Sequence, residues 1–132
     1  MKYHCLSFML LIGLSTWLCL SSFANGTDDA KAALIKSNLG LSGKGAVVSG
    51  PMSIAEVEKE SLKEASEYET SPQVPFGYDN ELWKKFKSEF KAGDAIFYFK
   101  TNTASWINEC GREGYALVRG SEVVDTIITK VN

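Results

Sequence analysis

Residues 80–132 read NELWKKFKSEFKAGDAIFYFKTNTASWINECGREGYALVRGSEVVDTIITKVN, and this stretch decides the fold. Four large apolar residues recur in it with helical spacing: Leu82, Trp83, Phe86 and Phe90. This stripe predicts an amphipathic helix from Glu81 to Lys91. The aromatic and β-branched run from Asp94 to Lys100 is too short for a second helix and predicts a β-strand.

Two more strands are predicted, from Tyr115 to Arg119 and from Glu122 to Ile128, on either side of Gly120-Ser121. A glycine at the first position of a two-residue turn is typical of a type II′ hairpin, whose twist matches that of the strands. Such a hairpin has a defined register of opposed pairs: Arg119 with Glu122, Val118 with Val123, and Leu117 with Val124.

The predicted sheet is apolar on both faces. One face presents Tyr115, Leu117, Val124 and Ile128, and the other presents Ala116, Val118, Val123 and Ile127. An antiparallel sheet with one wet face alternates apolar with polar residues, so this sheet needs cover on both sides. The sequence therefore predicts an α+β fold: an amphipathic helix packed on a three-stranded antiparallel β-meander, with an additional N-terminal helix covering or flanking the sheet.

An upstream helix is the candidate for the second cover. Ser53-Ile-Ala-Glu56 matches a capping box, in which the serine and glutamate side chains each bind a backbone amide of the first turn. The predicted helix runs to about Tyr68, with a thin apolar stripe and a charged outer face. Residues 70–77 contain Pro72 and Pro75 and are predicted to form a stiff linker into the main block.

The N-terminus has the features of a secretory signal peptide. Lys2 provides the positive start, residues 6–20 are mostly apolar, and Ser22-Phe-Ala24 places small residues where a signal peptidase cuts. We therefore expect residues 1–24 to be removed by cleavage after Ala24. The alternatives are an uncleaved membrane anchor and a lipid anchor through Cys19, and N-terminal sequencing of the exported protein distinguishes them.

Cleavage changes the composition of the chain. Residues 25–132 contain 16 acidic and 13 basic side chains, and their length suits one small domain. We divide them into a flexible N-terminal segment at residues 25–50 and a single small α+β domain at residues 51–132, with its core block at residues 79–132. Cys110 is then the one cysteine left, so no internal disulfide can form. An exported chain without disulfides is typical of the periplasm, and secretion is the alternative.

The composition argues against several kinds of site. The single histidine, His4, leaves with the signal peptide, which removes histidine-dependent nucleophilic catalysis and the commonest transition-metal ligand. A lone cysteine cannot form a thiolate zinc site or a redox pair. The acidic charge balance argues against nucleic acid, and contact with a membrane is expected only through the signal segment before cleavage. We expect no catalytic residue, metal or cofactor, although paired carboxylates keep hydrolysis open.

The candidate binding residues lie in an aromatic-rich stretch. Ten of the eleven aromatic residues that remain after cleavage lie between Phe76 and Tyr115, and most of them are expected in the core. Exposed anchors for a partner are expected among Phe76, Tyr78 and Trp106.

A glycine-bracketed pair and one cysteine complete the candidate set. Gly111 and Gly114 enclose Arg112 and Glu113, which predicts a tight turn that displays the charged pair to a partner. The alternative is a plain loop in which the pair is solvated. Cys110 is either a small buried hydrophobic residue or an exposed thiol that forms an intermolecular disulfide after export.

Three hypotheses of function follow. The first is a small exported, non-catalytic module that binds another envelope protein, or itself, through the sheet or the aromatic loop. The second is a small ligand-binding or carboxylate-dependent hydrolytic domain, with a cleft between the Glu81–Lys91 helix and the sheet that is lined by Tyr98, Tyr115 and Trp106. The third, based on fold-level analogy, is an inhibitor that presents loops to the cleft of a secreted hydrolase.

Overall fold

The computed structural model describes residues 20–132, with side chains from Asp28 onward, and the signal-peptide prediction falls mostly outside them, on residues 1–19. The helices are α1 (Leu20–Asn38), α2 (Ile54–Ser66), α3 (Asn80–Ser88) and α4 (Thr103–Ile107), and a 3₁₀ turn spans Gly77–Asp79. The strands are β1 (Val47–Met52), β2 (Ala95–Lys100), β3 (Arg112–Arg119) and β4 (Glu122–Val131). None of the helices described here is both long and apolar enough to cross a membrane.

The strands form one antiparallel sheet in the order β1-β2-β3-β4. The predicted α+β class is confirmed, but the predicted count of three strands is wrong. β1 adds an edge strand, in which Val48 lies opposite Phe99. This strand contains Gly50 and Pro51, which weaken the strand pattern in the sequence. Both residues are tolerated at a sheet edge, since proline there need not donate a ladder hydrogen bond.

The β3–β4 hairpin has the predicted turn and part of the predicted register. Gly120 adopts a φ of 57°, as its position in the turn requires. Arg119 lies opposite Glu122 and Val118 lies opposite Val123, which confirms the first two predicted pairs. Leu117, however, lies opposite Asp125 rather than Val124, because a β-bulge places an extra residue in β4.

The bulge also changes which residues of β4 face the core. Ile127 lies opposite Tyr115 and is 4% exposed, whereas Ile128, which was expected on that face, is 37% exposed. A one-residue insertion reverses the faces of all residues that follow it. The predicted alternation is therefore right up to Val124 and wrong beyond it.

At the hairpin mouth, Arg119 binds a different acid from the one opposite it in the register. Its guanidinium donates to both carboxylate oxygens of Asp94, at 2.9 and 2.8 Å, and to the Glu89 carbonyl at 2.9 Å. These charge-assisted hydrogen bonds hold the pKa of the Asp94 carboxyl below its ordinary value. Arg119 therefore ties the connection between α3 and β2 to the end of β3.

α2 and α3 pack on the same face of the sheet. The apolar cluster beneath them consists of Val57, Trp83, Phe86, Ile96, Tyr115, Leu117 and Ile127. The predicted capping box of α2 is confirmed: Ser53 Oγ accepts from the Glu56 amide at 3.2 Å, and the Glu56 carboxylate accepts from the Ser53 amide at 2.7 Å. The prediction that α2 covers the second face is wrong, since it lies beside α3.

α1 covers the opposite face. Ile35 is fully buried there, and Leu34, Leu39 and Leu41 pack beside it. They meet the sheet residues Ala95, Phe97, Phe99, Ala116 and Val118. Both faces of the sheet are covered, as predicted, but the cover of the second face comes from residues 25–50, which were expected to be flexible. These residues are mostly polar and rich in glycine, so their short apolar stripe is a weak helix signal in the sequence. Such a helix gains most of its stability by packing that stripe on the sheet.

The turn predicted between Gly111 and Gly114 is the beginning of a strand instead. β3 starts at Arg112, and both glycines are buried where other groups approach the backbone. A Cβ atom at Gly111 would overlap the Trp106 ring, and one at Gly114 would overlap the Ile127 carbonyl oxygen. Close packing, rather than a turn, therefore requires these two glycines.

Candidate functional site

Two of the predicted binding residues, Phe76 and Tyr115, pack against or within the core. Phe76 has a φ of 63°, and the centroid of its ring lies 4.8 Å from that of Trp83. The same ring meets Tyr115 edge-on at 5.8 Å, and Tyr115 is 7% exposed. Edge-on and tilted aromatic pairs of this kind stabilise the packing. Tyr115 is therefore not exposed to a partner, and Phe76 is exposed only in part.

Tyr78, another of the predicted exposed anchors, is on the surface. Its side chain is 76% exposed, and its hydroxyl donates to the Thr70 carbonyl at 2.6 Å. The hydrogen bond closes the linker that precedes the 3₁₀ turn. Tyr78 therefore presents an aromatic ring to solvent in a fixed position.

Tyr78 forms one wall of a surface pocket of about 190 Å³ between α2, the linker, the 3₁₀ turn and β4. We call it the tyrosine pocket and define it by Glu64, Tyr68, Phe76, Tyr78, Asp79 and Thr129. Tyr68 is 61% exposed, since α2 ends two residues before it. The predicted helix extended to Tyr68 and placed it on the buried stripe, so sequence reasoning missed this residue.

The pocket lies in the most acidic part of the chain. Residues 56–79 carry seven acidic side chains and two lysines, a net charge of −5, whereas the whole chain has a net charge of −2. The rest of the sequence is therefore net basic. Such a separation of charge produces a local negative potential that attracts cationic groups.

Glu113 lies in an ion-pair network beside the pocket. Its carboxylate is 3.5 Å from the Lys100 ammonium and 3.7 Å from that of Lys130, which also binds Glu64. The Glu64 contact raises the pKa of Lys130 above its ordinary value. The network joins α2 to β2, β3 and β4. Glu113, predicted as a displayed binding residue, is instead largely buried and paired.

Two tyrosines of the sheet lie next to this network, with ring centroids 5.8 Å apart. Burial, together with a hydrogen bond to Glu113, raises the pKa of Tyr98 far above its ordinary value. Burial and the nearby Glu60 and Glu64 carboxylates raise the pKa of Tyr115 to about 12. Both hydroxyls therefore keep their protons at neutral pH and act as neutral hydrogen-bonding groups.

We expect the protein to lose stability as the pH rises from about 10 to 12. The folded state holds the Tyr115 proton up to about pH 12, whereas an unfolded tyrosine loses it near pH 10.0. The contribution of protonated Tyr115 to the free energy of unfolding is therefore complete below pH 10 and is lost as the pH rises to about 12. Thermal unfolding between pH 9 and 12 measures this effect, and Tyr115→Phe should show a shallower decline. Equal slopes for the two proteins would contradict the assignment.

Trp106 and Arg112 lie away from the tyrosine pocket. Trp106 is half-buried against Gly111, with the Lys100 ammonium 5.5 Å from its ring centroid. Arg112 is exposed and donates to the Leu39 carbonyl at 3.0 Å, just beyond α1. The predicted binding residues therefore do not form one site; the set comprises Phe76, Tyr78, Trp106, Arg112, Glu113 and Tyr115.

The cleft predicted between α3 and the sheet is filled by the core. Trp83 and Phe86 occupy that interface and are 1% and 2% exposed. Tyr115 packs in the same apolar cluster as these two residues, and Glu60 and Glu64 of α2 lie near its hydroxyl. The predicted cleft is therefore not formed.

Cys110 is exposed, so the interpretation of it as a buried hydrophobic residue is wrong. Its thiol lies 3.2 Å from the Asn108 carbonyl oxygen, in the loop between α4 and β3. The intermolecular disulfide stays a prediction. Within residues 20–132, no group of three or more histidine, cysteine or acidic residues is arranged to hold a metal ion.

Comparisons with known proteins give no relatives for this chain. No model of a protein family, no curated protein and no solved structure matches it.

Proposed function

We propose that this chain is an exported, non-catalytic module that binds another envelope protein through the tyrosine pocket, in the periplasm or after secretion. The observation that carries the proposal is the pair of exposed tyrosines, Tyr68 and Tyr78, on the walls of one pocket. Tyrosine is enriched among the residues that dominate binding energy at protein interfaces. A large ring with two rotatable bonds offers contact area at a small entropic cost.

Hydrogen bonds within the chain preorganise the pocket. The hydrogen bond from the Tyr78 hydroxyl to the Thr70 carbonyl holds the ring in place. The Gln73 side chain donates to the carbonyls of Ala65 and Ser71, at 3.3 and 3.0 Å, which fixes the linker against α2. Groups that are already ordered lose less entropy on association.

Self-association through the sheet is a weaker explanation. α1 covers one face of the sheet, and α2 with α3 covers the other, so neither face of the described sheet is left open for a second copy. At the edges, β1 contains Pro51, and the ladder between β3 and β4 is interrupted by two β-bulges. Prolines and bulges are features that discourage pairing between sheet edges. A different protein is therefore the better partner for this chain.

The second hypothesis, a carboxylate-dependent hydrolase or ligand-binding domain, has less support. A pair of carboxylates that performs hydrolysis needs one group able to give a proton and one able to act as a base or nucleophile. Glu64 and Glu113 share the Lys130 ammonium instead, and Lys100 adds a second positive charge beside Glu113. This arrangement suits a structural ion-pair network.

The proposal is tested by affinity capture from the native envelope, with the bound proteins identified by mass spectrometry. We expect the double variant Tyr68→Ala/Tyr78→Ala to lower recovery of a specific partner about tenfold or more, because interface tyrosines contribute strongly to affinity. Ile107→Ala removes another exposed side chain, 75% exposed on α4, and should leave recovery unchanged. Equal recovery by the double variant and the wild type would refute the proposal.

A further inference from the structure

We infer that the tyrosine pocket receives an arginine side chain of the partner, carried on a segment that lies across α2 and the 3₁₀ turn. This inference rests on the proposed function and adds the chemistry of recognition to it. The size of the pocket, the residues that line it and the negative charge around it support an arginine.

The size of the pocket indicates a single side chain. Its volume of about 190 Å³ is smaller than the roughly 300–1,000 Å³ of pockets that enclose small-molecule ligands and cofactors. It is also open to solvent on the side of the two tyrosines, which are both more than half exposed. A protruding side chain of a larger molecule fits such a site better than a free ligand does.

The lining groups favour a cation. Two acidic residues, Glu64 and Asp79, line the pocket together with Tyr68 and Tyr78, and none of the described lining residues is basic. Aromatic faces attract cations through their quadrupole, and a neighbouring carboxylate adds a direct ion pair.

Glu64 and Asp79 differ in whether they form an ion pair within the described chain. The Glu64 carboxylate already pairs with the Lys130 ammonium, so its charge is balanced within the chain. Asp79 is exposed and forms no ion pair with another residue of the described chain. Asp79 is therefore the carboxylate available to a partner.

Arginine suits this combination better than lysine. Its planar guanidinium stacks on an aromatic face while its edge donates two parallel hydrogen bonds to one carboxylate. An ammonium group offers a point charge without a flat surface for the tyrosine rings. The excess of five negative charges over residues 56–79 also attracts a cationic segment from a distance.

The test uses the exported protein, labelled with ¹⁵N, and three short peptides that differ at one central residue: arginine, lysine or glutamine. We expect the arginine peptide to shift the amide signals of Tyr68, Tyr78 and Asp79, with an affinity about tenfold higher than that of the glutamine peptide. Equal affinities for the arginine and glutamine peptides, or no saturable shift, would overturn the inference. Equal affinities for arginine and lysine would overturn the assignment to arginine.

Matched variants locate the contact. Asp79→Asn should weaken binding of the arginine peptide several-fold, whereas Glu67→Gln, which removes an exposed acid outside the pocket lining, should have little effect. Tyr78→Phe keeps the ring and should retain most of the affinity, and Tyr78→Ala should not. Equal losses from Asp79→Asn and Glu67→Gln would indicate only general charge attraction and would overturn the inference.

Failure of this inference is distinguishable from failure of the proposed function. If the arginine peptide does not bind but the double tyrosine variant still abolishes capture of the envelope partner, the pocket binds a protein through other chemistry. If capture is also independent of the two tyrosines, both proposals fail.

Discussion

Replacing Phe97 with alanine is expected to lower the free energy of unfolding by about 3–5 kcal/mol, the range for truncating a buried aromatic side chain. Phe97 is 1% exposed and lies on the sheet face that α1 covers. Its removal leaves a cavity between the helix and the sheet that neither rigid element can close. Domains of this size have total stabilities of about 5–15 kcal/mol, so the variant loses a large part of its stability.

Urea-induced unfolding, followed by far-ultraviolet circular dichroism, measures this loss. Tyr68→Ala is the matched control, because it truncates an aromatic side chain that is 61% exposed. We expect its effect to stay within about 0.5 kcal/mol, as is usual for surface substitutions. Similar losses for the two variants would mean that Phe97 is not enclosed between α1 and the sheet.

Gly114→Ala is expected to destabilise the protein by about 3 kcal/mol or more, at or beyond the upper end of the range for overpacking. A Cβ atom at this position would overlap the carbonyl oxygen of Ile127 on the neighbouring strand. That oxygen belongs to the backbone of β4 and cannot rotate away as a side chain does. The strands would have to separate where the second β-bulge lies, between the pairs of Glu113 and Gly114.

Gly120→Ala separates the steric effect from the conformational effect. Gly120 has a φ of 57°, and nothing lies within 4 Å of a Cβ atom placed there. An alanine at this position bears only the cost of the left-handed conformation, about 1–2 kcal/mol. Equilibrium unfolding of both variants should therefore rank Gly114→Ala as clearly more damaging. The reverse order would contradict the close approach of β3 and β4.

Local patterns in the sequence predict much of this fold. The spacing of Trp83 and Phe86 predicts α3, although Leu82, the first residue of the predicted stripe, is 55% exposed. The capping box at Ser53 predicts the start of α2, and Gly120-Ser121 predicts the hairpin turn. Each of these signals acts over a few neighbouring residues. The two-sided apolar character of β2, β3 and β4 also indicates that helices lie on both faces.

The errors arise where the outcome depends on distant parts of the chain. The β-bulge after Val123 has no local signature, because the apolar run around it fits either register. α1 was missed as a cover because Ile35 gains its stability from the sheet rather than from helix propensity. Gly114 resembles a turn residue until the strand that packs on it is known.

The candidate site was predictable only in part. Tyr78 was identified as an exposed aromatic residue, and the structure places it on the surface. Tyr68 and Asp79 join it only because the linker at residues 70–77 folds back against α2. The prolines of that linker predict a break between helices, but they do not predict the path of the chain after it.

The most direct test of the account is the stability effect of Ile35→Ala, since Ile35 is the fully buried residue with which α1 covers the second face of the sheet. Lys36→Ala, at the exposed neighbouring position, is the control. If α1 covers the sheet, equilibrium unfolding will show a loss of about 2–5 kcal/mol for Ile35→Ala and a change within about 0.5 kcal/mol for Lys36→Ala. Changes of less than about 0.5 kcal/mol in both variants would show that α1 does not pack on the sheet, and would contradict the account.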